Sequence, residues 1–315
     1  MNLLIFKNTD FHLLYNCDVL PHTLWISRRA PDLLYGIAVI VVGCLFAVVY
    51  TLCLTVMRRL DLCIYPSYKI MFALGCLETF VLLFYSINVG VFNIIGMLSC
   101  PHIEYQFIVG AITSAIWCCQ SAFCLLLAFN RCVEFWKMPY LAAAFKYNRT
   151  YLWILLCFLY FAIVLFASPS ALVYNSLLKS FVNNPYRGIS EAANVSQSSV
   201  GLFLNPIHVL NNVVLCTTLP ALYIFLLLSI AYKVRGSSGR VLSKRQFLIT
   251  LQVFLICLLS LLLAFTTISF MVCPWLTCTN LSDYEQADPE WSAAASVKEE
   301  RSICQRRELI GSAES

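Results

Sequence analysis

The stretch LLYGIAVIVVGCLFAVVYTLCLTVM, Leu33 to Met57, runs for 25 residues without a charge. Hydrocarbon offers backbone N–H and C=O groups no water, so an uncharged apolar run of about 20 residues reads as a helix that crosses a bilayer. Five more such runs follow: Ile70 to Gly96, Tyr105 to Phe129, Tyr151 to Val173, Ile207 to Tyr232 and Leu248 to Cys273. One of them, 70–96, contains a carboxylate, Glu78. The expected fold class is all-α, a polytopic membrane helix bundle with six visible spans over residues 32–273. A polar N-terminal segment, 1–31, precedes it and a polar tail, 274–315, follows.

Composition agrees with that reading, since 60% of residues are hydrophobic and 12% charged, with a mean hydropathy of +0.79. Soluble domains of this length are not built that way. The first 30 residues carry no secretory signal, because the apolar piece LLIF is too short and Lys7, Asp10 and Asp18 follow it. Low-complexity tracts, charge blocks and short repeats are absent from the sequence.

Lysine and arginine in the short loops set the orientation. Segments 58–69, 130–150 and 233–247 hold three, four and five of them, whereas 97–104 holds none and the long loop 174–206 holds Lys179 and Arg187. The N-terminus is therefore expected outside, although Arg28 and Arg29 just before the first span oppose the rule locally. The sequons at Asn194 and Asn280 then face the lumenal side and are the expected glycosylation sites, and the one at Asn148 faces the cytosol.

The third run ends in AFNRCVEF, Ala128 to Phe135. Arg131 has two readings there. It is a snorkelling anchor that satisfies the positive-inside rule, or a switch that holds an inactive arrangement until the helices part. The ordered series Tyr15-Asn16-Cys17, Gly36, Gly43, Tyr68-Lys69-Ile70-Met71, Gly96, Cys100-Pro101, Tyr105, Gly110, Trp117, Asn130-Arg131-Cys132, Pro169, Asn184-Pro185, His208 and Asn211-Asn212 resembles the nematode serpentine receptors of class T. These are a chemosensory branch of the seven-helix G-protein-coupled receptors, and the likeness runs from about residue 15 to residue 273. It implies a seven-transmembrane receptor bundle in which Asn130 and Arg131 form the G-protein-coupling element.

That resemblance also implies a seventh span. After Cys273 the chain instead reads PWLTCTNLSDYEQADPEWSAAASVKEERSICQRRELIGSAES, whose charges and short apolar runs do not span hydrocarbon. Six spans with the N-terminus outside place this tail outside as well. The expectation is a truncated or alternatively spliced receptor, or a misread terminal exon, and a fragment that does not signal is the alternative function.

Glu78 at mid-span reads either as an ion or proton site between helices or as a neutral, hydrogen-bonded acid. His208, Asn211 and Asn212 stand at i, i+3 and i+4 and share one face of the fifth span. With Trp117 and Gln120 of the third span they are candidates for interhelical contacts or for the lining of a ligand cavity. Four histidines with no paired ligand spacing give no support to a metal site. Most of the 16 cysteines lie in spans as small packing residues. In the wider superfamily a cysteine atop the third helix bridges to the long loop, but 174–206 has none. Cys17 is then the candidate partner of Cys100. Pro220 removes a backbone hydrogen bond within the fifth span.

The leading function is a chemosensory receptor in the plasma membrane of sensory cells that binds an unknown small ligand and couples to a heterotrimeric G protein. A dimer with other receptors is a further partner, and neither a cofactor nor nucleic acid is expected. A transporter or channel calls for paired intramembrane charges or inverted repeats, and Glu78 has no charged partner among the spans. No nucleophile, acid–base pair or metal cluster suggests catalysis.

Overall fold

The computed structural model describes residues 1–136, 138–192 and 203–236, together with positions 254, 255, 258 and 262. Most of the expected span 248–273, the tail 274–315, and the sequons at Asn194 and Asn280 lie outside the described residues. The N-terminal segment forms three short helices, α1 (Asn2–Phe6), α2 (Asn8–Leu14) and α3 (His22–Ser27). They are followed by α4 (Leu33–Arg59), α5 (Pro66–Ile94), α6 (Ile103–Trp136), α7 (Pro139–Phe145), α8 (Arg149–Ala167) and α9 (Pro206–Gly236). Among the described residues five of these, α4, α5, α6, α8 and α9, are long and apolar enough to cross a membrane.

Local chemistry sets the helix ends. Asp32 caps α4 by accepting from the Tyr35 N–H at 3.0 Å, and Arg58 and Arg59 sit in its last turn, where the helix dipole favours cations. Pro66 opens α5, where a missing N–H costs nothing. At the far end Gly96 has φ +63, and the N–H groups of Gly96 and Met97 donate back to the Asn93 and Phe92 carbonyls. That pairing needs a left-handed residue, which glycine supplies without strain.

Two helices differ from the hydropathy reading. The expected span 151–173 ends at Ala167, because Pro169 pushes Ser168 into extended backbone with ψ 125. The rest of that run leaves the helix and enters a two-stranded hairpin, with β1 (Val173–Asn175) antiparallel to β2 (Ser180–Val182) and Val173 opposite Val182. The expected span 105–129 belongs to a 34-residue helix, α6, which at 1.5 Å per residue is about 50 Å long against roughly 30 Å of hydrocarbon. Its polar continuation past Phe129 stays helical.

Helix α6 is the centre of the bundle. Its most apolar window is 56% buried, that of α4 only 11%. The main core joins α5, α6, α8 and α9 through Ile70, Leu74, Phe123, Leu127, Cys157, Leu215 and Leu219. Helix α4 packs chiefly on α5, along a seam of small residues including Gly36, Gly43, Ser86 and Gly90. The ring of Phe254 meets Tyr223 of α9 edge-on, with centroids 5.6 Å apart.

The N-terminal segment, read from sequence as a polar lead-in, is a cap. Phe11, Tyr15 and Trp25 are buried with Phe107 and Phe203 in a second core over the N-terminal end of α6. The Tyr15 hydroxyl accepts from the Ala171 N–H at 3.2 Å, and the Tyr186 hydroxyl donates to the Asn16 carbonyl at 2.7 Å. Burial pushes the Tyr15 phenol well above its ordinary pKa, so it stays neutral in the cap. Gln106 of α6, fully buried, binds the hairpin by accepting from the Tyr174 N–H at 2.8 Å and donating to the Leu98 carbonyl at 2.6 Å.

Candidate functional site

The bundle has a capped end and a basic end. Arg58, Arg59, Lys69, Arg131, Lys146 and Arg149 collect at the basic end, at the termini of α4, α5, α6, α7 and α8. At the capped end Arg28 pairs with Glu191, and Lys179 pairs with Asp32 at 2.5 Å. Lys179 holds the Asp32 carboxyl below the usual carboxylate range.

Asn130 and Arg131 sit at the basic end in a network that reaches from α6 to α5. The Arg131 side chain is only 11% exposed. One of its terminal nitrogens donates to Glu134 Oε2 at 3.0 Å, and the other lies 3.9 Å from the Met71 sulfur. The Ser67 hydroxyl, in the first turn of α5, is 2.5 Å from Asn130 Oδ1 and 2.6 Å from Glu134 Oε1. A hydroxyl has one proton to give, and Asn130 Nδ2 is buried without a partner. Turning the amide over removes the conflict at Ser67, because Nδ2 then donates to Ser67 and Ser67 donates to Glu134. The result is a chain Asn130–Ser67–Glu134–Arg131 across the helix seam. Nearby, Trp136 Nε1 donates to Ser229 Oγ of α9 at 2.9 Å.

A second polar layer joins α6, α8 and α9. Asn211 donates to Ser121 Oγ at 3.1 Å and accepts from the Tyr160 hydroxyl at 3.2 Å. Asn212 accepts from Trp117 Nε1 at 2.7 Å. His208, on the same face, is 4% exposed, and neither ring nitrogen has a partner among the described residues. Gln120 instead turns to α5, where it hydrogen-bonds the half-buried Glu78 carboxyl. Cys17 and Cys100 are joined in a disulfide.

Sequence reading missed Ser67, Met71's contact, Glu134, Ser121 and Tyr160. Glu134 carried a signal, three residues beyond Arg131 on the same helix face. The others lie on different helices, and only packing brings them in. A groove of about 380 Å³ between α4 and α5, lined by Tyr35, Val39, Gly43, Phe46, Leu82 and Tyr85 among others, contains none of the expected residues. Among the described residues no three histidine, cysteine or carboxylate side chains group as metal ligands.

Membrane-length helices around a central one, closed at one end by a disulfide-tied cap and gathering basic residues at the other, define a multi-pass integral membrane protein of receptor architecture. The family model described as serpentine type 7TM GPCR chemoreceptor Srt matches residues 1–279, and the chain belongs to that family. The family is one of receptors rather than enzymes. No curated protein and no solved structure matches the chain.

Proposed function

We propose that this chemoreceptor-type protein sits in the plasma membrane of sensory cells with its capped end outside. It takes a small ligand into the capped half of the bundle and couples to a heterotrimeric G protein through the end of α6 at Asn130 and Arg131. One observation carries the reading. A snorkelling anchor extends its charge to the headgroups, whereas Arg131 is folded back against Glu134 and Met71 and is 11% exposed. This supports a lock between α5 and α6 that opens when the helices part. The Trp136–Ser229 bond ties α9 to the same end and breaks in the same movement. Pairing of Arg28 with Glu191 and of Lys179 with Asp32 offsets much of the positive charge at the capped end, and this supports the orientation.

The test needs no known ligand. Glu134→Gln removes the charge that holds Arg131 and is expected to raise ligand-independent nucleotide exchange on a purified heterotrimer several-fold. Adding Arg131→Lys should abolish that gain at near-normal surface expression, since lysine keeps the charge but not the planar fork that reaches several acceptors. A double variant as active as Glu134→Gln alone returns Arg131 to the role of an anchor.

A further inference from the structure

Three polar side chains face inward from the first turns of α9, and they are not equivalent. Asn211 and Asn212 are satisfied by Ser121, Tyr160 and Trp117, which accounts for them as ties between helices. His208 is not accounted for. Its ring is 4% exposed, with Nδ1 and Nε2 both unpartnered among the described residues. A neutral imidazole presents one N–H donor and one bare acceptor nitrogen, and buried polar groups are ordinarily paired.

A second unmet group lies in the segment that meets this turn. Ser168, at the end of α8, is 4% exposed with its hydroxyl unpaired. Asn205 joins the two segments, since its amide donates to the Ser170 carbonyl at 2.9 Å and its carbonyl accepts from the His208 N–H at 3.2 Å. Ile207 beside it packs on Ala115, Cys118 and Val164. The polar layer of Trp117, Ser121, Tyr160, Asn211 and Asn212 carries no full charge.

We propose that His208 is the polar anchor of the ligand site, and that the ligand class is a small, uncharged, lipophilic molecule carrying a hydroxyl group. A hydroxyl suits either tautomer, because it donates to a bare nitrogen and accepts from a protonated one. An anionic ligand loses its hydration there and meets no opposite charge in return. The aromatic cap of Phe11, Tyr15, Trp25, Phe107 and Phe203 covers the aqueous approach, which favours a molecule that partitions into the bilayer. The inference rests on the reading above that the capped half of the bundle takes the ligand.

The test is a titration of the full chain in lipid nanodiscs with its histidine rings labelled with ¹⁵N. The probes are 1-hexanol, hexane and hexanoate at equal concentrations and neutral pH. His12, His22 and His102 are exposed, so the His208 signals are those lost in His208→Gln. Hexanol is expected to shift them saturably, with hexane and hexanoate leaving them in place. Hexanol binding should weaken about tenfold in His208→Phe, the loss of one hydrogen bond, and stay near wild type in His208→Gln, whose amide both donates and accepts. An equal shift by hexane, or ring nitrogens already bonded to buried water and unmoved by all three probes, overturns the proposal. The wild-type titration decides even where the phenylalanine variant fails to fold. Coupling is tested separately: hexanol binding at His208 alongside exchange that ignores Arg131 sinks the coupling reading alone. Unmoved His208 signals in a receptor whose exchange depends on Arg131 sink this one alone.

Discussion

Gly110, one of the residues in the receptor-like series, has a role that only its surroundings explain. It lies on the face of α6 that meets the backbone leaving α8, and a Cβ there runs into the carbonyl of Leu172 and sits 3.2 Å from that residue's Cα. Backbone is not free to swing aside as a long side chain is, and the same segment is pinned two residues on by the bond from the Tyr174 N–H to Gln106. Gly110→Ala should therefore push the hairpin off the bundle at a cost of about 1–3 kcal/mol or more. A lower midpoint of thermal unfolding in detergent, with Ala111→Gly as a milder control, is the expected result. An unchanged midpoint means that the hairpin is not seated on α6. Arg131 makes the complementary point at the same scale. Its charge was visible in the sequence, but its burial and its contacts with Glu134 and Met71 were not, and the proposed lock rests on these.

At the scale of elements, the cap is the least expected part of the molecule. Its three helices are too short to persist alone in water, and they are held by what they touch. Tyr15 and Trp25 enter the second core, the Met1 ammonium donates to the Leu165 carbonyl at 3.0 Å, and a covalent bond closes the arrangement. The Cys17–Cys100 bridge spans 83 positions of sequence, for which chain entropy alone gives about 4.5 kcal/mol. Replacing both cysteines by serine should lower the melting point of the capped end in non-reducing buffer, and adding reductant to wild type should do the same. Two free thiols in folded, oxidised protein would rule the bridge out. Helix α8 shows the opposite kind of surprise. Hydropathy carried the span on to Val173, but hydropathy does not register that proline forbids its predecessor the helical conformation.

For the whole molecule the outstanding question is which end faces the cytosol. The helices alternate in direction, so one fact settles all of them. Asn148 stands immediately before α8 at the basic end, while the sequon at Asn194 comes between the hairpin and α9 in the sequence. With the capped end outside, Asn194 carries glycan and Asn148 does not. Glycosidase treatment should shift the mobility of wild type and of Asn148→Gln and leave Asn194→Gln less shifted. The reverse pattern inverts the topology, and with it the assignment of Arg131 to the G-protein side.

The sequence by itself determined the class of the molecule. Long apolar runs have few folded solutions in hydrocarbon, so the helical bundle and the places of five membrane-length helices were legible without coordinates, though not where the third and fourth of them end. Hydropathy is a one-dimensional sum, however, and it cannot say which face of a helix meets which neighbour. That was left to the tertiary structure. It made α6 the centre and α4 the margin, and it paired Gln120 with Glu78. It brought Ser67 to Asn130 from 63 residues away, and it buried both ring nitrogens of His208 without a partner among the described residues. Each of these depends on side chains distant in sequence arriving at one place, and packing in three dimensions decides that.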